Sequence, residues 1–536
     1  MPVPRIPRLT RFVPIVFLLG GCAADRWDTA LRGPVGQIDQ RIHRELREAY
    51  KSMDLDRILS FYSLQMPPGW SVRDHPVAKD KRSILDRFDR IEHAWVSIRP
   101  PAKFDKPEKG LATLFTRTTL QGTGPEGYLQ AVVDATLLVK ATEKDAIILA
   151  EEVHKTKYVA HRERTFTEVT LDSGIAMVHQ ARGSNVNSRI VAGVAPGPGA
   201  ACGDVDGDGF EDLYLVNGDR DRLYRNRGDG TFEDITEQAG LGDNNGDGQG
   251  AVFADLDNDG DADLFVTNIS RPNQLFMNAG NGTFIEVSDR AGLTYAPYSR
   301  SISVFDYDND GYLDIYVLGG GDFWKDVPSP VYQARNGTPC RLFRNNGNWT
   351  FRDVTRQAGV GDTGWGQAVA ATDYDNDGDQ DIYIANDFGF NCLYQNQGDG
   401  TFLDVAGKVG AIDRGAGMGC DWGDFNNDGH MDLFVSNLFT NSAWLFRHPD
   451  YPLPGLWFEN WLFKDEVIRI QYDMVRGSTM LLNNGDGMFT DVSDDLDIRD
   501  TPQWAWGSYF FDYDNDADVD IYIANGMLSG ESKKDL

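Results

Sequence analysis

The sequence predicts a mainly β protein: a propeller of about six four-stranded units, with seven blades as the alternative, preceded by a small α+β domain. Three observations predict it. A spaced acidic pattern, D-x-[DN]-x-D-[GA]-x-x-D, recurs six times, and each copy runs straight into an apolar stretch rich in aromatic and β-branched residues. Turns dominated by Asn and Gly follow most copies. Ahead of the repeats, apolar residues fall first at helical spacing and then in long strand-like runs. Self-similarity of this length marks architectures whose units cannot bury their apolar faces alone and must stack.

The chain has 536 residues, too many for one compact core, and its 41% hydrophobic and 25% charged residues are ordinary globular material. Its net charge of -31 excludes a nucleic-acid partner and adsorption to anionic lipid, and fits a protein that carries bound cations.

The N-terminus reads as a targeting segment. Arg5, Arg8 and Arg11 precede the apolar "FVPIVFLLGG", too short for a mature membrane span, and "LGGC" ends at Cys22. This resembles the bacterial lipoprotein signal. The resemblance implies a signal peptide over 1–21, a lipidated Cys22, a tether over 22–34 and a protein anchored by lipid to the cell envelope, facing the periplasm or the exterior. Cys202, Cys340, Cys392 and Cys420 form neither CxxC nor a zinc spacing; disulfides and buried free thiols both remain open.

Residues 35–160 form the α+β domain. Ile38, Ile42, Leu46 and Ala49 lie on one helical face, Leu55, Ile58, Leu59 and Tyr62 on a second, and "RSILDRFDRI" predicts a third helix. "AWVSIRP", "GLATLFTRTTLQG", "GYLQAVVDATLLVKAT" and "AIILAEEVHKTKYVA" then read as strands. This order resembles the cone-shaped SnoaL-like (nuclear-transport-factor-like) fold, which implies a pocket that His43, Asp54, His93 and Asp134 would line. No spacing unites those four, so solvated or structural roles are expected for them.

Residues 161–536 form the propeller. Residues 251–289 show one unit: "AVFAD", the acidic loop with "DLFVTN", "QLFMNAGNG" and "TFIEVS". The turns "NRGDGTF", "NAGNGTF", "NNGNWTF", "NQGDGTF" and "NNGDGMF" supply the positive φ of tight hairpins. The loops begin at 204, 255, 306, 373, 424 and 512; the longer third and fifth intervals leave room for inserted loops. "TFTEVTLDSGI" at 165–175 matches the end of a unit ("TFEDITEQAGL", 231–241) with no unit before it, and the last unit stops after its second strand. The N-terminal strand is therefore expected to complete the last blade.

The acidic loops carry the chemistry. Three side chains at positions 1, 3 and 5, a turn-permitting Gly at 6, a carbonyl at 7 and an Asp at 9 form an oxygen shell suited to calcium. Position 12 is Leu215, Val266, Val317, Ile384, Val435 or Ile523 where an EF-hand requires Glu, so EF-hands are excluded. Magnesium, which keeps its waters, is disfavoured. Up to six calcium ions are expected, held by Asp204, Asp206, Asp208, Phe210 and Asp212; Asp255, Asp257, Asp259, Asp261 and Asp263; Asp306, Asp308, Asp310, Tyr312 and Asp314; Asp373, Asp375, Asp377, Asp379 and Asp381; Asp424, Asn426, Asp428, His430 and Asp432; and Asp512, Asp514, Asp516, Asp518 and Asp520. Asn426 and Ala517 depart from the pattern, so the fifth and sixth sites are expected to be weaker.

These loops and turns resemble FG-GAP/VCBS repeats of the integrin α type, and "TF-x-[DE]-[VI]-T…AG[LVI]" resembles the bacterial relatives of cartilage acidic protein. The integrin comparison implies seven blades against six units here. "RGD" at Arg227–Asp229 sits inside a hairpin turn and reads as turn chemistry. Counting eight residues back from the loops gives Tyr298, Trp365 and Trp504, with Trp506 two further on. These rings are expected at the end of the blades opposite the loops, as ligand contacts or as plugs between blades. The function expected is an envelope-anchored binding module for a glycan or an envelope or extracellular protein. A polysaccharide-acting enzyme on the same scaffold is the alternative, and no nucleophile motif or acid–base set supports it.

Overall fold

In the computed structural model the described residues are 38–64, 71, 75–106, 111–125, 127–142, 145–161, 169–177, 199–217, 220–242, 248–269, 271–293, 298–321, 326, 328–330, 333–438, 473, 476–499 and 505–525. The signal segment, Cys22, the tether, Trp504 and most of the two inserted loops lie outside them. The chain divides into two compact units, described separately below.

In the first unit a π-helical stretch (Asp39–Glu45) continues into α1 (Leu46–Lys51), followed by α2 (Leu55–Leu59) and α3 (Pro76–Leu85). The third helix thus starts earlier than the apolar spacing predicted. Pro76 opens it, His75 caps Val77, and by Arg90 the chain is already extended. Four long strands form an antiparallel meander in sequence order: β1 (Arg90–Lys106), β2 (Leu111–Gly124), β3 (Gly127–Ala141) and β4 (Ala146–His161). Alternate residues of β3 are buried, the period-two pattern of a sheet with one covered face. Ile38, Ile42, Leu46 and Ala49 share one core with Leu114, Val133 and Leu137. Lys81 is buried in this unit and paired to Glu151 at 2.7 Å, which also accepts from the Tyr62 hydroxyl at 3.2 Å. Of the expected pocket residues, Asp54 caps α2 through the Arg57 amide and Asp134 pairs with Arg117 through two bonds of 2.7 Å. His93 is exposed and stacked on Trp95. The structural reading holds for these three.

The second unit repeats one antiparallel sheet. Four-stranded sheets are formed by β5 (Ala200–Gly203), β6 (Asp212–Leu215), β7 (Arg222–Asn226) and β8 (Phe232–Asp234), and by β9 (Gly248–Ala254), β10 (Asp263–Asn268), β11 (Gln274–Asn278) and β12 (Phe284–Glu286). The third comprises β13 (Ser299–Phe305), β14 (Asp314–Gly319), β15 (Arg341–Asn345) and β16 (Phe351–Asp353). The fourth comprises β17 (Gly366–Thr372), β18 (Asp381–Asn386), β19 (Cys392–Asn396) and β20 (Phe402–Asp404), and the fifth β21 (Gly417–Gly423), β22 (Asp432–Asn437), β23 (Thr479–Asn483) and β24 (Phe489–Asp491). The sixth contains only β25 (Ala505–Phe511) and β26 (Asp520–Asn525) among the described residues.

Successive sheets lie side by side through their first strands, and apolar faces from neighbouring sheets share each core cluster. The second strands of sheets two to five are buried at every residue, as strands covered on both faces must be. The turn after the first sheet's fourth strand clips onto the second sheet: the Phe284 amide donates to Ala239 O at 2.8 Å. The segment 169–175 repeats this contact on the first sheet, where the Phe232 amide donates to Ser173 O at 2.7 Å. That is the place a unit's trailing turn occupies, as the match between "TFTEVTLDSGI" and "TFEDITEQAGL" predicts; the strand ahead of it, 165–168, falls outside the described residues.

Candidate metal centres

Each loop connects the first strand of a sheet to its second, and backbone donors shape it. The position 1 carboxylate accepts the amides of positions 5 and 6. Asp373, for example, takes Asp377 N at 3.0 Å and Gly378 N at 2.9 Å, and Asp512 takes Asp516 N at 3.1 Å and Ala517 N at 2.8 Å. Position 5 accepts from position 7, as Asp310 does from Tyr312 and Asp428 from His430. Position 6 has positive φ throughout, from 73° at Ala517 to 95° at Gly260 and Gly378. Ala517 therefore holds a conformation that costs a residue with a Cβ on the order of 1–2 kcal/mol.

The side chains of positions 1, 3 and 9 converge. Ligand oxygens lie within 4.8 Å of one another in the sets Asp204–Asp206–Asp212, Asp306–Asp308–Asp314, Asp373–Asp375–Asp381 and Asp512–Asp514–Asp520. In the second loop the set is Asp255, Asp257 and Asp259. Oxygens this close fit around one ion at the 2.3–2.6 Å bond lengths of calcium. In three of the loops one oxygen of the position 3 carboxylate, on Asp206, Asp308 and Asp375, is buried without a hydrogen-bond donor among the described residues. Such an atom calls for a cation or a proton. In the fifth loop the Asn426 amide donates to Asp428 at 2.9 Å, and no carboxylate triad forms. Asn426 thus spends its donor on a neighbour and offers only a carbonyl oxygen.

Position 9 is the most buried of the loop carboxylates. Asp263, Asp314, Asp381 and Asp432 are at most 1% exposed. Each accepts the position 2 amide on one oxygen and the amide of an Asn from the third strand on the other, as Asp381 does from Tyr374 at 3.2 Å and Asn396 at 2.7 Å. Burial pushes these carboxyls up against the pull of those bonds, to about 7 at Asp263 and Asp314, about 8 at Asp381 and about 6 at Asp432. A buried acid in that position ionises readily only beside a positive charge.

Position 7 projects its side chain over the hairpin of the same sheet. A Cβ at Gly347 would lie 2.5 Å from the Tyr312 ring, one at Gly228 2.5 Å from Phe210, and one at Gly485 2.6 Å from His430. The Gly of each "N-x-G" turn therefore answers both to positive φ and to this contact. In the first turn Asp229 is held by Thr231 through bonds of 2.9 and 2.6 Å, so the "RGD" aspartate is committed to its own hairpin.

Two features escaped the sequence reading. First, position 4 links neighbouring loops. The side-chain amides of Asn258, Asn309 and Asn427 donate to Gly311 O at 2.9 Å, Asp379 at 2.7 Å and Asp518 at 2.6 Å, and Asn376 meets His430 Nδ1 at 3.0 Å. These Asn residues have φ of 54–61°, which Asn tolerates best among residues with a side chain. Asn recurs at position 4 in five of six loops, and that signal was available. Second, Arg344 on β15 bridges Asp308 and Asp310 across the third loop, the latter at 2.6 Å, and Gln395 occupies the matching place beside Asp375 at 2.6 Å. In these two loops the third-strand residue before the Asn therefore partners the position 3 carboxylate.

At the other end of the sheets two of the rings, expected as ligand contacts or as plugs between blades, are buried in the packing. Trp365 is fully buried, donates to Asn336 at 3.1 Å and packs edge-on against Phe388. Tyr298 is 6% exposed with the Arg300 guanidinium over it. Both belong to the packing of the blade ends; Gly321 leaves room for the Trp365 ring, which a Cβ there would meet at 2.0 Å. Trp506 is half-buried and packs against Ala416, Met418 and Leu438. The four cysteines Cys202, Cys340, Cys392 and Cys420 are free thiols, and burial pushes Cys340 up to about 12.

The FG-GAP-like repeat family matches residues 204–266, 255–317, 331–384 and 373–435, spanning acidic loops one to five. Cartilage acidic protein 1 of Mus musculus is 27% identical over 275 residues, covering 47% of this chain and 40% of that protein. Its Homo sapiens counterpart is 26% identical over 275 residues, covering 47% and 39%. The match thus spans about two fifths of the length of these relatives. Among solved structures, an Agrocybe aegerita lectin that recognises non-reducing terminal N-acetylglucosamine aligns at 17% identity with a TM-score of 0.34, over 60% of this chain and 73% of the lectin. The V. cholerae biofilm matrix protein Bap1 aligns at 15% identity with a TM-score of 0.28, over 55% and 38%.

Proposed function

Starting from a chain that carries FG-GAP-like repeats, we propose a calcium-stabilised binding module, anchored by lipid at Cys22 on the bacterial cell envelope, that engages a glycan or an envelope or extracellular protein. Calcium would be held by positions 1, 3 and 9 of the loops, with position 5 completing the shell in the second. When bound it supplies charge neutralisation, not chemistry. The residues themselves order the loop backbone, and the Asn links join one loop to the next.

The observation that carries this reading is the buried, donor-less oxygen of Asp206, Asp308 and Asp375, each beside two further carboxylates. Such a cluster folds at a cost unless a cation enters. The lipid anchor rests on the sequence around Cys22 alone. The test is capture on a glycan array and from envelope extracts by the mature protein, in calcium and in chelator. Calcium-dependent retention of a glycan or envelope protein is expected; equal retention in both conditions, or none, would reject the reading.

A further inference from the structure

The second and fourth loops form a matched pair. Both carry Asp at positions 1, 3, 5, 7 and 9, Asn at 4 and Gly at 6: "DLDNDGDAD" and "DYDNDGDQD". They differ in what position 3 does. In the fourth loop Asp375 Oδ2 accepts from Gln395 at 2.6 Å, and Oδ1 is buried without a donor among the described residues. In the second loop Asp257 Oδ1 accepts the Asp259 amide of its own loop at 3.2 Å, and the carboxylate also takes the Trp349 indole N–H. The converging set changes with it. In the fourth loop it is Asp373–Asp375–Asp381, which includes the buried position 9; in the second it is Asp255–Asp257–Asp259, which does not.

The third strand supplies the difference. The residue before its final Asn is Gln395 in β19 and Met277 in β11. Gln has an N–H that reaches the carboxylate; Met, of nearly the same length, has none. The other complete sheets follow the same rule. Arg344 of β15 holds Asp308 Oδ2, and Asp308 Oδ1 is buried and donor-less. Arg225 of β7 stands 3.9 Å from Asp206 Oδ2, and Asp206 Oδ1 is likewise donor-less. In β23 the residue is Leu482, and Asn426 Oδ1 turns back to the Asp428 amide at 3.1 Å, as Asp257 does to Asp259. One further difference separates the matched pair. Trp349 lies in the hairpin beside Asp257, whereas the matching place beside Asp375 belongs to Gly487, where a Cβ would sit 4.0 Å from Asp375 Cβ. A ligand carboxylate held through one oxygen presents the other in a fixed direction, and such partners change metal affinity by about ten- to a hundredfold.

We infer that the third-strand residue before the Asn is a positioning residue for the ion. Gln395, Arg344 and Arg225 engage Oδ2 of the position 3 carboxylate and leave Oδ1 to the loop, so the fourth, third and first loops take calcium ahead of the second. The second loop, with the same five aspartates as the fourth, is the weaker site because Met277 leaves Asp257 to its own backbone and to Trp349. The inference rests on the calcium reading above and adds to it an order among loops that their ligand residues alone do not set.

The test uses the full chain and calcium alone. Hydrogen exchange read by mass spectrometry over a series of free calcium concentrations gives each loop its own half-saturation, from the amides of 255–263 and of 373–381. The fourth loop should gain protection at about tenfold lower free calcium than the second. Gln395→Met should raise the fourth loop's half-saturation about tenfold and leave the second loop's in place. Met277→Gln should lower the second loop's half-saturation, a gain that lost packing cannot produce. Trp349→Gly separates the competing donor: if it alone brings the second loop level with the fourth while Gln395→Met moves nothing, the third-strand role is overturned. Equal half-saturations in the parent that neither exchange moves overturn it too, and leave the calcium reading standing. No calcium response from either loop overturns the calcium reading and this inference with it.

Discussion

Asp381→Asn isolates what a cation does in one loop. In the ion-free protein the Asp381 carboxyl is pushed up to about 8 by burial. Its unfolded value is near 4. A raised carboxylate makes its full contribution to stability below the unfolded value and loses it as pH rises toward the folded one. At pH 7 the empty loop is therefore destabilised by about 4 kcal/mol, at about 1.4 kcal/mol for each unit between pH 4 and 7. Asparagine removes the charge but accepts only one of the two amides from Tyr374 and Asn396. Leaving the other without an acceptor costs about 1–3 kcal/mol. In chelator the variant should thus match or exceed the parent by about 1–3 kcal/mol. Calcium at a thousand times its dissociation constant stabilises the parent by about 4 kcal/mol per site, which the variant forgoes at this loop. The order should reverse, and the melting-temperature difference between the two proteins should swing by roughly 5 °C between chelator and calcium in scanning fluorimetry. Equal calcium responses from variant and parent would refute Asp381 as a ligand.

Asp387 lies away from the loops, is buried, and is pushed up to about 7 by desolvation against the pull of Arg300 and Gln367. Asp387→Asn should raise the melting temperature at pH 8, by at most roughly 4 kcal/mol equivalent, and much less at pH 5, where the parent acid is largely protonated in the fold; a gain larger at pH 5 would contradict this. Asn309→Gly keeps the positive φ but deletes the link to Asp379, and should cost about 1 kcal/mol in urea unfolding. Asn309→Ala should cost more because of backbone strain; equal costs would place the effect elsewhere. Trp365→Ala should destabilise by about 3–5 kcal/mol as a core truncation, visible as a lower melting temperature in calcium and chelator alike. Cys22→Ser should move the protein from the membrane fraction to the soluble fraction, and unchanged partitioning would reject the anchor.

Much of the repeat was legible because two periodicities meet in it. The acidic spacing fixed where each loop lies, and the apolar run from Leu264 to Val266 and its counterparts marked a strand covered on both faces. Asn and Gly in "NAGNG" marked the hairpin, since few other residues accept its backbone. Trp365 stayed open between ligand contact and plug for a physical reason: an aromatic residue before a strand reads alike whether it faces solvent or a neighbouring blade. Gly321, which admits its ring, was the readable clue. The Asn258, Asn309, Asn376 and Asn427 links were hidden because each spans two units, so a pattern read within one unit assigns those residues only to a turn. Arg344 was likewise invisible as a loop partner until β15 placed it beside Asp308. In the front unit helix spacing located α1 and α2, whereas the third helix moved because Pro76 begins it ahead of the apolar residues.

The account rests on the loops taking up ions together with folding. Native mass spectrometry of the mature chain, titrated with calcium after exhaustive chelation, counts them directly. The account predicts successive calcium adducts beyond one, up to six, with the loops around Asn426 and Ala517 filling last and the melting temperature rising with each step. A chain that binds no more than one ion, or that melts at the same temperature with and without calcium, would contradict it.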